Sequence, residues 1–395
     1  MDAVRAAAPE GGEAFASPRE GREGSSLFDR ARDWRDRTVA SPDFRRWAAR
    51  FPFTRPVARR RARALFDLCA GFVYSQVLAA CVRLRVFDLL RDGPLTVAAV
   101  AARADLPPEA AARLLGAAAS LRLLSRRSGG RYGLGPLGAA MVGNDGLAAM
   151  VEHHAVLYAD LRDPVALLRG EGRGETGLAR YWPYAGGGAA GATGAADVAG
   201  YSALMAATQP LVAEEVLGAY DLRRHRCLLD VGGGEGAFLR AAAAAAPDLR
   251  LVLFDLPAVA ERAEARLAAA GLGARASAVG GDFLGDRLPE GADVVTLVRV
   301  LHDHDDGNAL AILRAARRAL PPGGTLLLAE PMSGTPGAEP VGEAYFGLYL
   351  LAMGRGRPRT PGEIRELLRE AGFADVRPRP TRTPLLTSVL TARSV

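Results

Sequence analysis

The sequence predicts an α/β fold: a Rossmann-like parallel sheet behind an N-terminal, mainly helical domain of winged-helix type. Three observations predict it. The run Asp230-Val231-Gly232-Gly233-Gly234-Glu235-Gly236 lies between the apolar Cys227–Leu229 and the helical Ala237–Ala246. That is a strand, a glycine turn and a helix, with an acid at the strand's end, where a bare backbone can approach a nucleoside. From about residue 219 strand and helix patterns alternate, as in a parallel sheet. Over 68–143 two helices precede a short hairpin, the winged-helix order.

Taken in order, residues 1–25 are rich in Gly, Glu, Ser and Ala and read as disordered. Residues 26–67 form a helical extension dense in arginine and aromatics. Between Asp43 and Asp67 stand Arg45, Arg46, Arg50, Arg55, Arg59, Arg60, Arg61 and Arg63, interleaved with Trp47, Phe51, Phe53, Leu65 and Phe66. Such a segment either lies on an anionic membrane or packs on the protein with its arginines solvated.

In the domain over 68–143, Phe72–Leu90 reads as an amphipathic helix. Thr96 caps Val97–Ala104, Pro108 opens a helix to Ser120, and Arg126–Tyr132 holds a hairpin turn. The second helix is mostly Ala and Leu, with Arg113 its only base. A recognition helix needs polar side chains for base edges, so this domain packs or dimerises and does not bind nucleic acid. Residues 144–218 read as a helical connector interrupted by a flexible Gly/Ala stretch, Gly186 to Gly200. The last domain, 219–395, has candidate strands at Cys227–Val231, Arg250–Asp255, Ala276–Gly280, Ala292–Val298, Gly324–Glu330 and Leu385–Ala392.

The chain's 395 residues carry a net charge of +6, and every basic residue is arginine. That uniformity fits a codon bias better than selection for phosphate, so it argues little for nucleic acid. The cysteines, Cys69, Cys81 and Cys227, sit in apolar runs and read as buried thiols of a reducing compartment. No secretory signal is evident, and no uncharged apolar run reaches the roughly 18–20 residues of a membrane span. A cytoplasmic protein is expected, with peripheral attachment to an inner or photosynthetic membrane as its further option.

The glycine turn alone suits NAD as well as a methyl donor, because Gly232-x-Gly234-x-x-Ala237 followed by Asp255 also meets the dinucleotide fingerprint. Three features favour S-adenosylmethionine. Asp230 precedes the glycines, where a carboxylate takes an ammonium and would repel a pyrophosphate. Gly281-Asp282-Phe283 follows the third strand and suits an adenine, by hydrogen bond and by stacking. No nicotinamide-side cluster follows; the strong polar cluster is Leu301-His302-Asp303-His304-Asp305.

These motifs, with Phe254-Asp255-Leu256-Pro257 and Gly323–Glu330, stand in the order of the O-methyltransferases that use S-adenosylmethionine (SAM). The sequence resembles the plant caffeate/acetylserotonin type and its bacterial relatives over about residues 66–395. The runs 44–52 and 54–60, Phe72–Leu78, Tyr181–Tyr184 and Gly356–Thr360 resemble its purple-bacterial carotenoid branch, the hydroxyneurosporene/demethylspheroidene O-methyltransferases. The resemblance implies methylation of the 1-hydroxyl of an acyclic carotenoid, SAM without metal, and a homodimer through residues 68–143.

Resemblance also implies roles. Asp230, Gly232 and Gly234 hold the amino acid end of SAM, Asp255 its ribose, and Asp282 and Phe283 its adenine, with Leu256 also at the cofactor. Arg299 stands near the cofactor. His302 is the base, suited by a pKa near neutrality, and Glu330 orients it; His304 points elsewhere. The plant-type run Gly-Lys-Glu-Arg-Thr carries a second supporting glutamate; here Pro358 replaces it, so the base is expected to lack that support. An apolar, elongated acceptor pocket is expected among Met150, His154, Tyr158, Trp182, Asp303, Phe346, Tyr349, Leu350 and Met353. Other hydrophobic acceptors, a bacteriochlorophyll precursor or an aromatic polyketide, are the first alternative. A winged-helix regulator and a nicotinamide oxidoreductase are remoter ones.

Overall fold

The computed structural model describes residues 27–171, 176–181 and 195–395, so the expected disordered N-terminus lies outside the described residues. Two compact units divide the chain, Met1–Ser75 and Gln76–Val395. In the first, helices run over Leu27–Ala40 and Pro42–Arg50, and a third begins at Arg55. Ser41 caps the second by accepting the Phe44 N–H, and Pro42 opens it where no amide is needed. Cys69 is exposed, against the expectation of a buried thiol, because it follows the exposed stretch 59–68.

The third helix, Arg55–Arg83, is long and apolar enough to cross a bilayer by length and composition. No uncharged run of that length occurs, and its apolar stretch reaches that length only by including Asp67. Its C-terminal end is occupied by protein: Val77, Leu78, Cys81 and Val82 pack with Val86, Phe87, Leu90 and Leu115. The helix stops at Arg83 instead of continuing to Leu90, because Arg85 takes a left-handed φ of 52°. Thr96 caps Val97–Arg103, and Pro108–Ser120 follows as expected. Strands β1 (Leu95–Thr96), β2 (Leu124–Arg127) and β3 (Arg131–Leu134) form the wing, an antiparallel sheet in the order β1-β3-β2.

The connector holds helices Asp145–Asp160, Pro164–Leu168, Gly177–Tyr181 and Ala195–Ala219. Residues 195–200 are therefore helical, a correction to the expected flexible stretch; residues 186–194 lie outside the described residues.

The large sheet contains β4 (Cys227–Val231), β5 (Arg250–Asp255), β6 (Ala276–Gly280), β7 (Val294–Val298), β8 (Thr325–Glu330), β9 (Phe373–Arg379) and β10 (Ser388–Ser394). Its order is β6-β5-β4-β7-β8-β10-β9, parallel except for β10, which runs antiparallel to β8 and β9. Alternate residues feed two cores. Leu229, Val295, Leu326 and Leu328 meet Ile312, Leu313 and Leu368 on one face. Leu228, Val294 and Leu327 meet Val216, Leu239 and Leu267 on the other. The order reverses between β4 and β7, the place where doubly wound sheets bind ligands at their strands' C-terminal ends. At the opposite ends, Asp293 accepts from the Arg226 and Cys227 amides and meets His225 Nδ1 at 3.1 Å. His225 Nε2 lies 2.9 Å from the Tyr220 hydroxyl, so this chain of contacts pins the strand starts.

Candidate active site

Five strand ends converge on the crevice. Asp230 closes β4, Asp255 closes β5, Asp282 follows β6, the loop Arg299–Asp305 follows β7, and Glu330 closes β8. Asp230 is fully buried. Its Oδ1 accepts from Thr296 Oγ1 at 2.6 Å, while Oδ2 has no hydrogen-bond partner among the described residues. A buried carboxylate oxygen left open beside a glycine turn is the partner an ammonium group requires. Burial pushes the Asp230 carboxyl up to about 7, with Asp255 adding to it against the Thr296 hydrogen bond. An arriving cation would restore its charge.

The glycines are needed where they stand. A Cβ at Gly233 would lie 2.6 Å from Asp230 Oδ2, and one at Gly232, where φ is 70°, 2.9 Å from Val300. Gly234 has a φ of 56° and donates its N–H to Asp255 Oδ2 at 2.8 Å; Oδ1 accepts from the Leu256 amide. Carboxylate oxygens accept more than one bond, so Asp255 both fixes the turn and suits a ribose. Asp282 is exposed and caps the Leu284 amide, and Phe283, half-buried, meets His304 edge-on at 5.4 Å. The open Asp230 oxygen, the glycine cradle and these acids fit the amino acid, ribose and adenine parts of SAM.

His302 is fully buried between two carboxylates. Glu330 Oε2 accepts its backbone N–H at 3.1 Å and lies 3.4 Å from Nδ1; Asp303 Oδ1 lies 3.2 Å from Nε2. The glutamate missing at Pro358 is thus not the only source of a second carboxylate, since Asp303 supplies one from the base's own loop. Burial pulls the imidazole's pKa down, but Asp303 and Glu330 outweigh it, and the pKa stands above its ordinary value. His304 is pulled to about 4 by burial and then by His302, so it stays neutral.

The loop is braced from behind. Arg359, completely buried, donates to Asp306 at 2.8 Å, to the Leu301 carbonyl at 2.8 Å and to the His304 carbonyl at 2.7 Å. The Arg357 amide donates to the His302 carbonyl. A Cβ at Gly356 would stand 2.1 Å from that same oxygen.

In front of His302 lies a cavity of about 50 Å³. Its wall brings together the expected Met150, Asp303, Phe346, Tyr349 and Met353, and adds His153, Met205, Thr208 and Tyr345. Tyr345 and Phe346 end a wide π-helical turn, Pro340–Phe346, and Tyr349 and Met353 follow it on the helix Gly347–Met353. His153 bonds Tyr349, and His154 bonds Tyr345, each at 2.8 Å, so His154 stands behind the wall. Leu350 packs with Leu157 and Leu178, and Tyr158 is exposed; neither reaches the cavity. Trp182 lies outside the described residues. Arg299, expected near the cofactor, lines this cavity at a φ of 60° and donates to Thr208 at 2.9 Å. His153 and Tyr345 escaped sequence reasoning because only contacts between distant segments mark them.

The family model of the O-methyltransferase domain matches residues 158–374, and that of the O-methyltransferase dimerisation domain matches 66–144. The chain belongs to the O-methyltransferase family. This O-methyltransferase is 49% identical to demethylspheroidene O-methyltransferase of Cereibacter sphaeroides over 90% of its own length and 93% of the relative's. It is 44% identical to the Rhodobacter capsulatus protein of the same name, over 87% and 85%. A solved human N-acetylserotonin methyltransferase in complex with SAM superposes with a TM-score of 0.71 at 29% identity, covering 85% of this chain and 97% of that one. With its dimerisation domain, the O-methyltransferase assembles as a homodimer.

Proposed function

We propose that this O-methyltransferase methylates the 1-hydroxyl of an acyclic carotenoid, demethylspheroidene or hydroxyneurosporene, on the way to spheroidene. The observation that carries this reading is the 49% identity to a demethylspheroidene O-methyltransferase over 90% of the chain. SAM, when bound along the β4 and β5 ends, supplies a methyl group made electrophilic by its sulfonium. Asp230 holds the amino group, Asp255 the ribose, and Asp282 and Phe283 the adenine.

His302 receives the acceptor's proton. Glu330, behind the cavity wall, favours the tautomer with hydrogen on Nδ1, which leaves Nε2 on the cavity side as acceptor. Asp303 and Glu330 then stabilise the imidazolium. A tertiary alcohol is far less acidic than imidazolium, so His302 takes the proton as the new O–C bond forms. The aromatic and methionine wall excludes water and aligns the hydroxyl. Only the reacting end of a long acceptor enters so small a cavity; its polyene stays outside, and the protein works at the surface of the membrane that holds it.

Incubation with SAM and a hydroxylated acyclic carotenoid dispersed in detergent should yield a product one methylene heavier by mass spectrometry. The His302→Gln variant should lose about 10²- to 10⁴-fold in kcat. Since His302 must be neutral to act and its pKa is raised above 6.5, the rate should climb with pH along a limb lying above 6.5. A variant with undiminished turnover would overturn the assignment.

A further inference from the structure

The net charge of this protein equals that of one short segment. Residues 43–67 hold eight arginines and two aspartates, a net +6, and +6 is also the charge of the whole chain. Removing eight of the 50 basic and two of the 44 acidic residues leaves equal numbers everywhere else. A segment of 25 residues therefore carries the entire imbalance.

All eight arginines are exposed. Asp43 pairs with Arg46, and Asp67 lies 3.8 Å from Arg63, so the other six have no carboxylate within ion-pair distance among the described residues. Among these arginines the structure assembles aromatic rings. Trp47 stacks on Phe51 with centroids 4.9 Å apart; Phe44 lies 5.6 Å from Trp47, and Phe53 lies 5.7 Å from Phe51. Phe53 is 85% exposed and Trp47 50%. Large rings left in water beside unpaired guanidinium groups call for an amphipathic cover. The dimerisation domain begins at residue 66, beyond this cluster.

We propose that residues 42–63 are a docking surface for an anionic lipid bilayer. Trp47, Phe51 and Phe53 enter at the level of the headgroups, and Arg45, Arg50, Arg55, Arg59, Arg60 and Arg61 contact lipid phosphates. A bilayer fits better than nucleic acid, because Trp47 and Phe51 cover each other's faces and Phe44 and Phe53 cluster against them, whereas nucleic acid binding needs separate ring faces for the bases. The purpose of the contact rests on the proposed acceptor: a polyene dissolved in lipid is reached by an enzyme held at the lipid surface.

The test uses the full chain and empty vesicles, so it is independent of the acceptor. The protein should float with phosphatidylcholine vesicles containing a third phosphatidylglycerol, stay unbound with phosphatidylcholine alone, and be released by high salt. The triple variant Arg59→Gln, Arg60→Gln, Arg61→Gln should partition at least about tenfold less. Trp47→Ala with Phe53→Ala should do the same while leaving methylation of a detergent-dispersed acceptor intact. Absence of flotation, equal binding to neutral vesicles, displacement of vesicles by RNA, or a loss of dimers in the arginine variant would each overturn the proposal. Failed methylation in detergent, with flotation intact, would overturn the acceptor and leave the docking surface standing.

Discussion

Asp230 is a carboxylate held where water cannot reach it, with one oxygen left open. Its carboxyl, pushed up to about 7 by burial, must ionise to hold the ammonium of SAM. The affinity for SAM should therefore fall about tenfold for each pH unit below 7. In Asp230→Asn, which keeps an acceptor for Thr296, that dependence should vanish and binding should be weak throughout. Calorimetric titration across this range decides it; an unchanged pH dependence in the variant would remove Asp230 from the role. The sequence showed this residue by its place before the glycines. The open oxygen and the raised pKa come from burial, which no spacing reveals. Asp303 is similar: its motif was legible, but its seat against Nε2 depends on the fold of a single loop.

At the scale of elements, the run Gly356–Thr360 works as a brace. Its left-handed Gly356 lets the chain touch the His302 carbonyl, and Arg359 ties two carbonyls of the loop to Asp306. Lysine keeps the charge but has no planar fork to span three acceptors. Arg359→Lys should lower kcat by on the order of 10- to 100-fold, since small misplacements of a base are costly. The KM for SAM should hold, and the pH limb set by His302 should shift. Steady-state kinetics across pH measures both, and an equal loss in SAM binding would point to general damage. The sequence marked this run only by the glutamate it lacks. Five parallel strands were readable because their strand patterns alternate with helices, four of them buried and β6 at the sheet edge. Strand β9 was not, because Phe373–Arg379 is a polar edge with a proline at 378 and a left-handed Asp375. The π-helical turn was also illegible, since its residues suit an ordinary helix.

Across the whole molecule, four of the five histidines oppose two buried aspartates in the response to acid: Asp230, and Asp303, whose carboxyl burial also raises. His153 and His304 are held near 4 by burial, then by coulombic repulsion from His154 and His302 respectively, and burial also lowers His154 and His225. A histidine lowered in the fold is neutral there while its unfolded counterpart takes a proton, so its contribution is lost as pH falls from 6.5 towards 4. Asp230 has the opposite sign. Its fold holds a proton up to about 7 that the unfolded chain releases at 3.8, so acidification through that window adds stability to the unliganded protein. His302, raised above 6.5, also stabilises the acid side and loses that contribution as pH rises through its folded value. The two sets oppose each other between 6.5 and 4 in the protein without ligand. Removing Asp230 should expose the histidines. Melting temperatures of Asp230→Asn should fall more steeply on acidification through this range than those of the unsubstituted protein, each without ligand. Parallel curves in differential scanning calorimetry would mean that Asp230 carries no proton into the fold.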